Sequence, residues 1–413
     1  MNRGPEPIHV VGVAERDQAL VAERWDVRVD VDASAAAGAG TGDDSGVAAV
    51  VALLEAIGLT AGDVDDVDAR AAADGVGAAT DMRAEHVVVR RSTEGWWQIA
   101  VRGDHGDPAP TIEFRARDGA EAADRVLSAI TRRRLYRPVP AHLHGGAVAR
   151  ADGAAALVLG PSGTGKSTMV AHLAAAGLDL LNDEQVALHP ARGVVGGFTR
   201  PLACKPASAV HFPEPIATDA ADAAGTTLVT AARLGARHRL AGRPVLVVVA
   251  ERDESTEPAV EPLDRVSAAQ ALAQNNLDLL AHPHDALDAF GWLVTTAAVV
   301  RVRYRASAQG AALVRELLAD PPDAPRGSWW VRPQQPVADV GAGMLAPARD
   351  AVGLGFDDGA LLLNTATATA VTCNAAAAEL WASLPAVEWP DDGESHAFVA
   401  GLRDAGLVES APG

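Results

Sequence analysis

The sequence predicts an α/β protein built from more than one domain. The chain has 413 residues, which corresponds to two or three domains at about 150 residues each. From about residue 139, an apolar strand, a glycine-rich turn, a helix and a second strand follow one another. A later run, PVLVVVAE at 244–251, is short and rich in β-branched residues, as is typical of a buried parallel strand. This alternation of strands and helices is the pattern of an α/β fold.

Changes in pattern divide the chain into three regions. Residues 1–138 alternate short strand-like runs with Gly/Asp loops and end in a helical pattern, which predicts an N-terminal α+β region. Residues 139–320 carry the α/β pattern. The Pro-rich stretch 321–336 predicts a linker, and 337–413 predicts a small winged-helix-like domain of short strands and two helices. The clearest runs outside the glycine-rich turn are strands at 86–91 and 96–103 and helices at 119–135, 266–281, 306–319 and 375–384.

Composition excludes several classes of protein. The net charge of −19, from 54 acidic and 35 basic residues, argues against nucleic acid or an anionic membrane as the main partner. Cys204 and Cys373 lie far apart and form neither a disulfide framework nor a CxxC site. No secretory signal and no uninterrupted apolar run of about 18 residues is visible. A reducing cytoplasm is the expected location, and the sequence leaves open whether the chain forms a homo-oligomer.

The strongest motif is a P-loop. Residues 160–168, GPSGTGKST, match G-x-x-x-x-G-K-S in full, with an apolar strand before the match and an Ala/Leu-rich helix after it. Backbone N–H groups at such a helix N-terminus wrap a phosphate, while the lysine bridges phosphates and the serine hydroxyl ligates Mg²⁺. The predicted nucleotide contacts are Gly160, Ser162, Gly163, Thr164, Gly165, Lys166, Ser167 and Thr168, with Ser167 also a metal ligand.

Candidate catalytic groups lie on both sides of this motif. Asp183 and Glu184 follow the apolar run LDLL, where a right-handed crossover returns the chain beside the phosphate site. His144, in HLHGGAVA, is a candidate if its strand pairs with the strand that leads into the P-loop, although a lone His is more often structural. In FTRPLACKP, Arg200 and Lys205 are candidates for clamping a nucleotide or a phosphate acceptor, although surface cations are usually only solvated.

One further cluster has the residue types of a metal site. It is His282-Pro-His284-Asp285, which has no other His or Cys nearby in sequence. We interpret it as the turn that opens a helix over DALDAFGWL.

Four segments in order carry a family resemblance: HLHGGAVA, GPSGTGKST, LLNDEQVAL and GFTRPLACKPAS. Over about 139–210 they resemble the catalytic fold of HPr kinase/phosphorylase and the smaller HPr-kinase-like proteins found near peptide-modifying gene clusters. The resemblance implies an ATP- and Mg²⁺-dependent kinase. It implies that His144 lies at the phosphate site, that Asp183 is the base toward a serine acceptor, and that Glu184 is its partner or a Mg²⁺ ligand.

The chain departs from the HPr kinase pattern at two places. The usual Asp-Asp pair is Asp183-Glu184, so which acid performs which task is left open. No Glu-x-Arg-Gly stretch follows the pair. This absence argues against HPr itself as the substrate and against phosphorylase activity.

The tail carries a second resemblance. LLLNTATATAVTCNAAAAELWASL and FVAGLRDAGLVE, within about 345–410, are similar to the PqqD family of peptide chaperones in ribosomal peptide biosynthesis. The resemblance implies that a leader peptide adds as a strand to an exposed sheet edge. The residues expected in the edge region are Leu361, Leu363, Ala370 and Thr372, whereas Trp381 is expected in the core.

Together the resemblances predict an ATP-dependent kinase for a hydroxyl of a ribosomally made precursor peptide, most simply a serine, whose leader is held by the PqqD-like domain. Two alternatives stay open. One is a nucleotide-gated peptide-binding chaperone without phosphoryl transfer. The other is a kinase for a small metabolite, which predicts activity in a chain truncated before residue 337.

Overall fold

The computed structural model of the chain describes most residues from 84 onward and a few short strands before them. The described ranges are 10–11, 26–32, 60–61, 84–91, 96–103, 109–117, 119–136, 139–197, 200–214, 216, 227–255, 257–332, 344–384, 387–388 and 393–410. They form two compact units, which are described separately: Met1–Pro138, Ala174–Asp183 and Gly197–Ala241 in the first, and Val139–Leu173, Glu184–Gly196 and Gly242–Gly413 in the second.

A six-stranded sheet with one helix organises the N-terminal part of the first unit. Its strands run in the order β3-β1-β2-β4-β5-β6, with β2 and β4 parallel and the other neighbouring pairs antiparallel. These elements are β1 Val10–Val11, β2 Asp26–Asp32, β3 Thr60–Ala61, β4 Ala84–Arg91, β5 Trp97–Gly103, β6 Ile112–Ala116 and helix α1 Gly119–Arg134. The predicted α+β character of this region and its strands near 86–91 and 96–103 are confirmed.

Helix α1 forms because its sequence places apolar residues on one face. Val126, Leu127 and Ile130 are buried at helical spacing, and α1 packs on β5 and β6. Glu121 in its first turn and Arg132 in its last turn have the charges that the helix dipole favours at those ends. The fully buried Arg133 donates hydrogen bonds to two backbone carbonyl oxygens, those of Ala109 and Pro110.

The second unit contains the mixed sheet on which the P-loop is built. Strand β15 pairs in parallel with both β9 and β17, whereas β8 with β9, β16 with β17, and β11 with both β7 and β12 pair antiparallel. The strands between residues 139 and 304 are β7 Ala141–Leu143, β8 Gly145–Ala149, β9 Ala154–Leu159, β10 Asp179–Asn182, β11 Val186–His189, β12 Val194–Gly196, β13 Leu202–Cys204, β14 Thr227–Val229, β15 Ala241–Arg252, β16 Ala259–Pro262 and β17 Ala298–Tyr304. Strands β10, β13 and β14 belong to the first unit.

The helices of this region are α2 Lys166–Ala175, α3 Arg265–Gln274, α4 Pro283–Thr296 and α5 Ser307–Ala319. Every residue of β9 is buried, which explains its uninterrupted apolar sequence. The α/β class is confirmed, and the buried strand expected at 244–251 is the centre of β15. Helix α3 is shorter than the expected 266–281, because the chain turns at Asn275 and forms a bridge between Asn276 and Leu143.

The C-terminal part of the second unit has two small antiparallel sheets and two helices. One sheet has the strand order β18-β20-β21-β22 and the other β23-β19-β24. The elements are β18 Trp330–Arg332, β19 Met344–Pro347, β20 Ala351–Phe356, β21 Gly359–Asn364, β22 Thr369–Asn374, α6 Ala375–Ser383, β23 Val387–Glu388, α7 Gly393–Asp404 and β24 Val408–Ser410. Residues 321–329 of the predicted linker form neither helix nor strand, and residues 330–332 form β18, whereas 333–336 lie outside the described residues.

The core of this C-terminal part lies around Trp381. Its ring is 1% exposed, packs among Leu362, Val399 and Leu402, and stacks on Trp330 with ring centroids 6.2 Å apart. The expectation that Trp381 belongs to the core is confirmed. Among the described helices of the chain, none combines the length and the apolar character that crossing a membrane requires.

Candidate phosphate-binding site

The P-loop follows β9 and is shaped by three glycines with positive φ. Gly160 has φ +142°, Gly163 +87° and Gly165 +91°, values that L-residues with a side chain rarely adopt. A Cβ at Gly160 would lie 2.6 Å from the carbonyl oxygen of Ala250 on the neighbouring strand β15. Helix α2 then begins at Lys166, and Met169 N donates to Gly165 O at 2.8 Å. The loop therefore presents its backbone at the N-terminus of a helix, as the motif predicts.

Lys166 lies within the curve of this loop. Its side-chain Nζ donates to Gly160 O at 2.7 Å and to Pro161 O at 3.2 Å, and the residue is 8% exposed. Ser162 and Gly163 are exposed, Ser167 is half-buried, and Thr168 is buried at 5% exposure. A cation held by backbone carbonyls beside exposed loop residues suits an anionic ligand.

Two side chains distant in sequence support the P-loop from opposite ends. Asn275 accepts a hydrogen bond from Gly160 N at 3.0 Å through Oδ1, and Tyr304 donates its hydroxyl to Thr164 O at 2.6 Å. Burial raises the pKa of Tyr304 to about 12, with Arg252 opposing the shift, so its hydroxyl stays protonated and able to donate at neutral pH. A Cβ at Gly165 would meet Ser307 Oγ at 2.6 Å. Sequence reasoning missed these supporting residues.

His144 and Glu184 lie together in the second unit. The imidazole Nε2 is 3.6 Å from Glu184 Oε2, and both side chains are partly exposed, at 38% and 36%. Burial lowers the pKa of His144, the Lys166 ammonium lowers it further, and the Glu184 carboxylate opposes both effects. The net effect favours the neutral imidazole. His144 itself lies in the bend between β7 and β8, and β8 pairs with β9, the strand that leads into the P-loop. The role of His144 at the phosphates stays a prediction.

Asp183 follows β10 and belongs to the first unit, although Glu184 is the next residue in the chain. Asp183 is 3% exposed, and its backbone N–H donates to Asn182 Oδ1 at 2.6 Å. A buried carboxylate is expensive unless it is paired or protonated. The role of Asp183 as the base stays a prediction.

A second histidine of the same segment is held by a carboxylate. His142 is 1% exposed, and its Nδ1 lies 2.6 Å from Asp278 Oδ2, while its backbone N donates to Asp278 Oδ1 at 3.0 Å. The backbone of Asp278 is itself restrained, because its N–H donates a hydrogen bond to Asn276 Oδ1. His142 therefore fixes the segment that precedes His144 to the turn after α3.

The two cations predicted to clamp a nucleotide or a phosphate acceptor differ in their surroundings. Arg200 is 5% exposed and donates from Nη1 to Thr131 Oγ1 at 2.6 Å, both in the first unit. Lys205 is exposed, next to a 3₁₀ turn over Pro206–His211. Lys205 is exposed, as expected for both cations. Arg200 is instead buried, and its guanidinium contacts α1.

The four residues predicted for the peptide-binding edge lie on two adjacent strands. Ala370 and Thr372 are exposed on β22, which pairs with β21 and, among the described residues, with no second strand. Leu361 and Leu363 lie on β21, at 1% and 3% exposure, between β20 and β22. Among the described residues β22 is thus the last strand of this sheet, and the two leucines lie one strand inside it.

The His282-Pro-His284-Asp285 segment opens helix α4, as interpreted from the sequence. His282 is at the N-cap position and Pro283 begins the helix. Across the ranges that the structure describes, no group of three or more His, Cys, Asp or Glu residues is arranged to hold a metal ion.

Comparisons with known proteins add little to this geometry. No family model matches the chain, and no curated protein matches it. Among solved structures, the chain is similar to the Hpr(Ser) kinase/phosphatase from Coxiella burnetii, with 12% identity, over 42% of this chain and 94% of that one, at a TM-score of 0.26. A TM-score this low carries no argument about function.

Proposed function

We propose that the chain is an ATP-dependent kinase that phosphorylates a hydroxyl of a ribosomally made precursor peptide, with serine as the acceptor. The observation that carries the proposal is the P-loop between β9 and α2, with Lys166 Nζ held by Gly160 O and Pro161 O inside it. A second polar group, the His144–Glu184 pair, lies in the same unit.

The residues of the P-loop fit a nucleoside triphosphate. Positive φ at three glycines exposes backbone N–H groups, and the α2 N-terminus favours negative charge. Lys166 supplies the compensating cation. The oxygen donors for Mg²⁺ would be the Ser167 hydroxyl and the Glu184 carboxylate, which is the ligand chemistry that Mg²⁺ prefers. When bound, Mg²⁺ neutralises charge on the β- and γ-phosphates.

In the transfer step, the oxygen of the acceptor hydroxyl forms a bond to the γ-phosphorus of ATP. The bond between that phosphorus and the β,γ-bridging oxygen breaks, and ADP leaves with this oxygen. Asp183 takes the hydroxyl proton, while Lys166 and the loop N–H groups stabilise the charge of the transferring group. The assignment of Asp183 as the base rests on the resemblance to the kinase family.

The peptide part of the proposal rests on the C-terminal sheet. Within the part of the chain that the structure describes, β22 pairs only with β21 and carries the small exposed side chains Ala370 and Thr372. An extended leader can pair with such an edge through main-chain hydrogen bonds. Holding the leader on the same chain raises the local concentration of the core peptide to about millimolar. Lys205 and Arg200 remain candidates for acceptor contacts.

The test is intact-mass analysis of precursor peptides encoded beside the gene after incubation with the full chain, ATP and Mg²⁺. A gain of about 80 Da establishes phosphoryl transfer. We expect Lys166→Ala to abolish the gain because the cation at the phosphates is lost. Asp183→Asn should also abolish it while leaving ATP affinity within about twofold of the original.

Two other outcomes would change the proposal. ATP binding and leader binding without any mass gain would identify a nucleotide-gated peptide chaperone, which the same β22 edge also supports. Phosphorylation of small hydroxyl compounds but of no peptide would identify a metabolite kinase. Absence of ATP binding to the folded chain would refute the nucleotide site altogether.

A further inference from the structure

Asn275 makes three hydrogen bonds that connect the end of α3 to the P-loop and to His144. The residue is the C-cap of α3 and is 9% exposed. Its Oδ1 accepts from Gly160 N at 3.0 Å, and its Nδ2 donates to Ala271 O at 2.8 Å. Its backbone O accepts from His144 N at 2.6 Å.

These bonds leave the Asn275 amide no freedom to turn. The donor to Ala271 O and the acceptor of Gly160 N are opposite ends of one planar group, so the orientation of the amide is fixed by the helix behind it. The carbonyl of Gly160, the residue whose N–H it holds, accepts from Lys166 Nζ at 2.7 Å. One side chain therefore fixes the backbone that positions the P-loop lysine.

The backbone at Gly160 needs such a support. Its φ of +142° is accessible mainly to glycine, which is the residue with the greatest conformational freedom. Without an acceptor, its buried N–H would lose a hydrogen bond and the turn would lose a restraint. The ordering of the loop would then have to occur when the ligand binds, at the expense of affinity.

We propose that Asn275 is a positioning residue for nucleotide binding: its side chain fixes the start of the P-loop at Gly160 and its backbone carbonyl holds His144 at the same turn. This inference rests on the proposed nucleotide site. Asn275 does not contact the nucleotide in this proposal. Its effect on binding passes through Gly160 and Lys166.

The test compares Asn275→Leu with Asn276→Leu in the full chain. Both remove an amide from the same turn with the same change in volume. Asn276 Oδ1 accepts from Asp278 N and makes no hydrogen bond to the P-loop in the structure, so Asn276→Leu controls for loss of stability in this segment. Affinity for Mg²⁺-ATP is measured by calorimetry, together with the amide resonance of Gly160 by NMR.

We expect Asn275→Leu to weaken ATP affinity about tenfold and to shift the Gly160 amide resonance, whereas Asn276→Leu keeps the original affinity. Asn275→Ala is measured alongside, so that the comparison does not depend on one variant folding. Equal affinity of Asn275→Leu and the original chain, or equal weakening by both Asn→Leu changes, would overturn the inference and leave the nucleotide site standing. Failure of the original chain to bind ATP would instead remove the proposed function on which the inference depends.

Discussion

At the residue scale, the glycines of the P-loop differ in what surrounds them. Gly163 and Gly165 have similar φ values, +87° and +91°, but a Cβ at Gly163 meets no atom within 4 Å, whereas one at Gly165 lies 2.6 Å from Ser307 Oγ. Alanine at either position carries the strain of positive φ. Only the second also crowds the start of α5.

We therefore expect Gly165→Ala to lower the free energy of unfolding by about 1 kcal/mol more than Gly163→Ala does. The measurement is urea unfolding of the two variants without nucleotide, and the matched φ makes Gly163→Ala the control. Equal losses would show that Ser307 moves aside at no cost.

His238, a histidine of the first unit, is expected to make the stability of the fold sensitive to acid. The ring nitrogens of His238 are shielded from solvent, and burial lowers its pKa from 6.5 to about 4. Between these values the unfolded chain binds the proton more tightly, so the free energy of unfolding falls as the pH drops from about 6.5 to about 4. The fall amounts to at most about 3 kcal/mol.

Replacing the imidazole should remove this dependence. We expect His238→Gln to flatten the stability profile of the chain between pH 6.5 and 4, measured by chemical unfolding at a series of pH values. His282→Gln, at an exposed imidazole, serves as the control. A profile of His238→Gln with the original slope would contradict the assignment.

At the scale of elements, helix α3 contacts two parts of the second unit. Its last turn and the following Asn275 hold the P-loop, and its first residue, Arg265, lies against the β20–β21 turn. The Arg265 side chain is 10% exposed, with Nη1 3.4 Å from Asp357 Oδ2, Nη2 3.2 Å from Asp358 Oδ1, and its guanidinium 5.5 Å from the ring centre of Phe356. One arginine thus combines two ion pairs with a cation–π contact.

Arg265→Met keeps the aliphatic stem and removes the charge. We expect it to lower the free energy of unfolding by about 1 kcal/mol, and the difference from the original chain should shrink at high salt because the acidic partners are exposed. Arg125→Met, which breaks the exposed pair with Glu121 in α1, is the control and should change stability by no more than about 0.5 kcal/mol. An unchanged midpoint for Arg265→Met would show that this contact contributes nothing.

At the scale of the whole molecule, ligand binding and stability are linked. If the P-loop binds nucleotide only when folded, Mg²⁺-ATP at a hundred times its Kd raises the free energy of unfolding by about 2.7 kcal/mol. We expect this gain in the original chain and not in Lys166→Ala, measured by chemical unfolding with and without Mg²⁺-ATP. An equal gain in both would place the binding site away from Lys166.

The net charge of −19 bears on partners at the same scale. Such a surface repels nucleic acid and anionic lipid at low salt, which favours a neutral or basic peptide as the partner that the proposal requires. Under the proposed function, pairing of a leader peptide with β22 would depend little on this charge, because main-chain hydrogen bonds are independent of side-chain charge.

The sequence by itself determined the P-loop, the strand before it and the helix after it. These follow from local rules: a buried parallel strand is continuously apolar, glycine alone accepts positive φ cheaply, and a helix N-terminus binds anions. Local patterns also located α1, β4, β5 and the helix over DALDAFGWL, although α4 begins two residues earlier than predicted, at Pro283. Because these rules act within a few neighbouring residues, the local sequence pattern is sufficient to predict the elements.

Only the tertiary structure decided what supports the loop. Asn275 and Tyr304 reach Gly160 and Thr164 across 115 and 140 residues, and no local pattern marks either residue. It also decided that Leu361 and Leu363 lie one strand inside the β22 edge, because alternation along a strand shows which face is buried but not how many strands lie beside it. Contacts between distant residues depend on how elements pack, and that packing is a property of the whole fold.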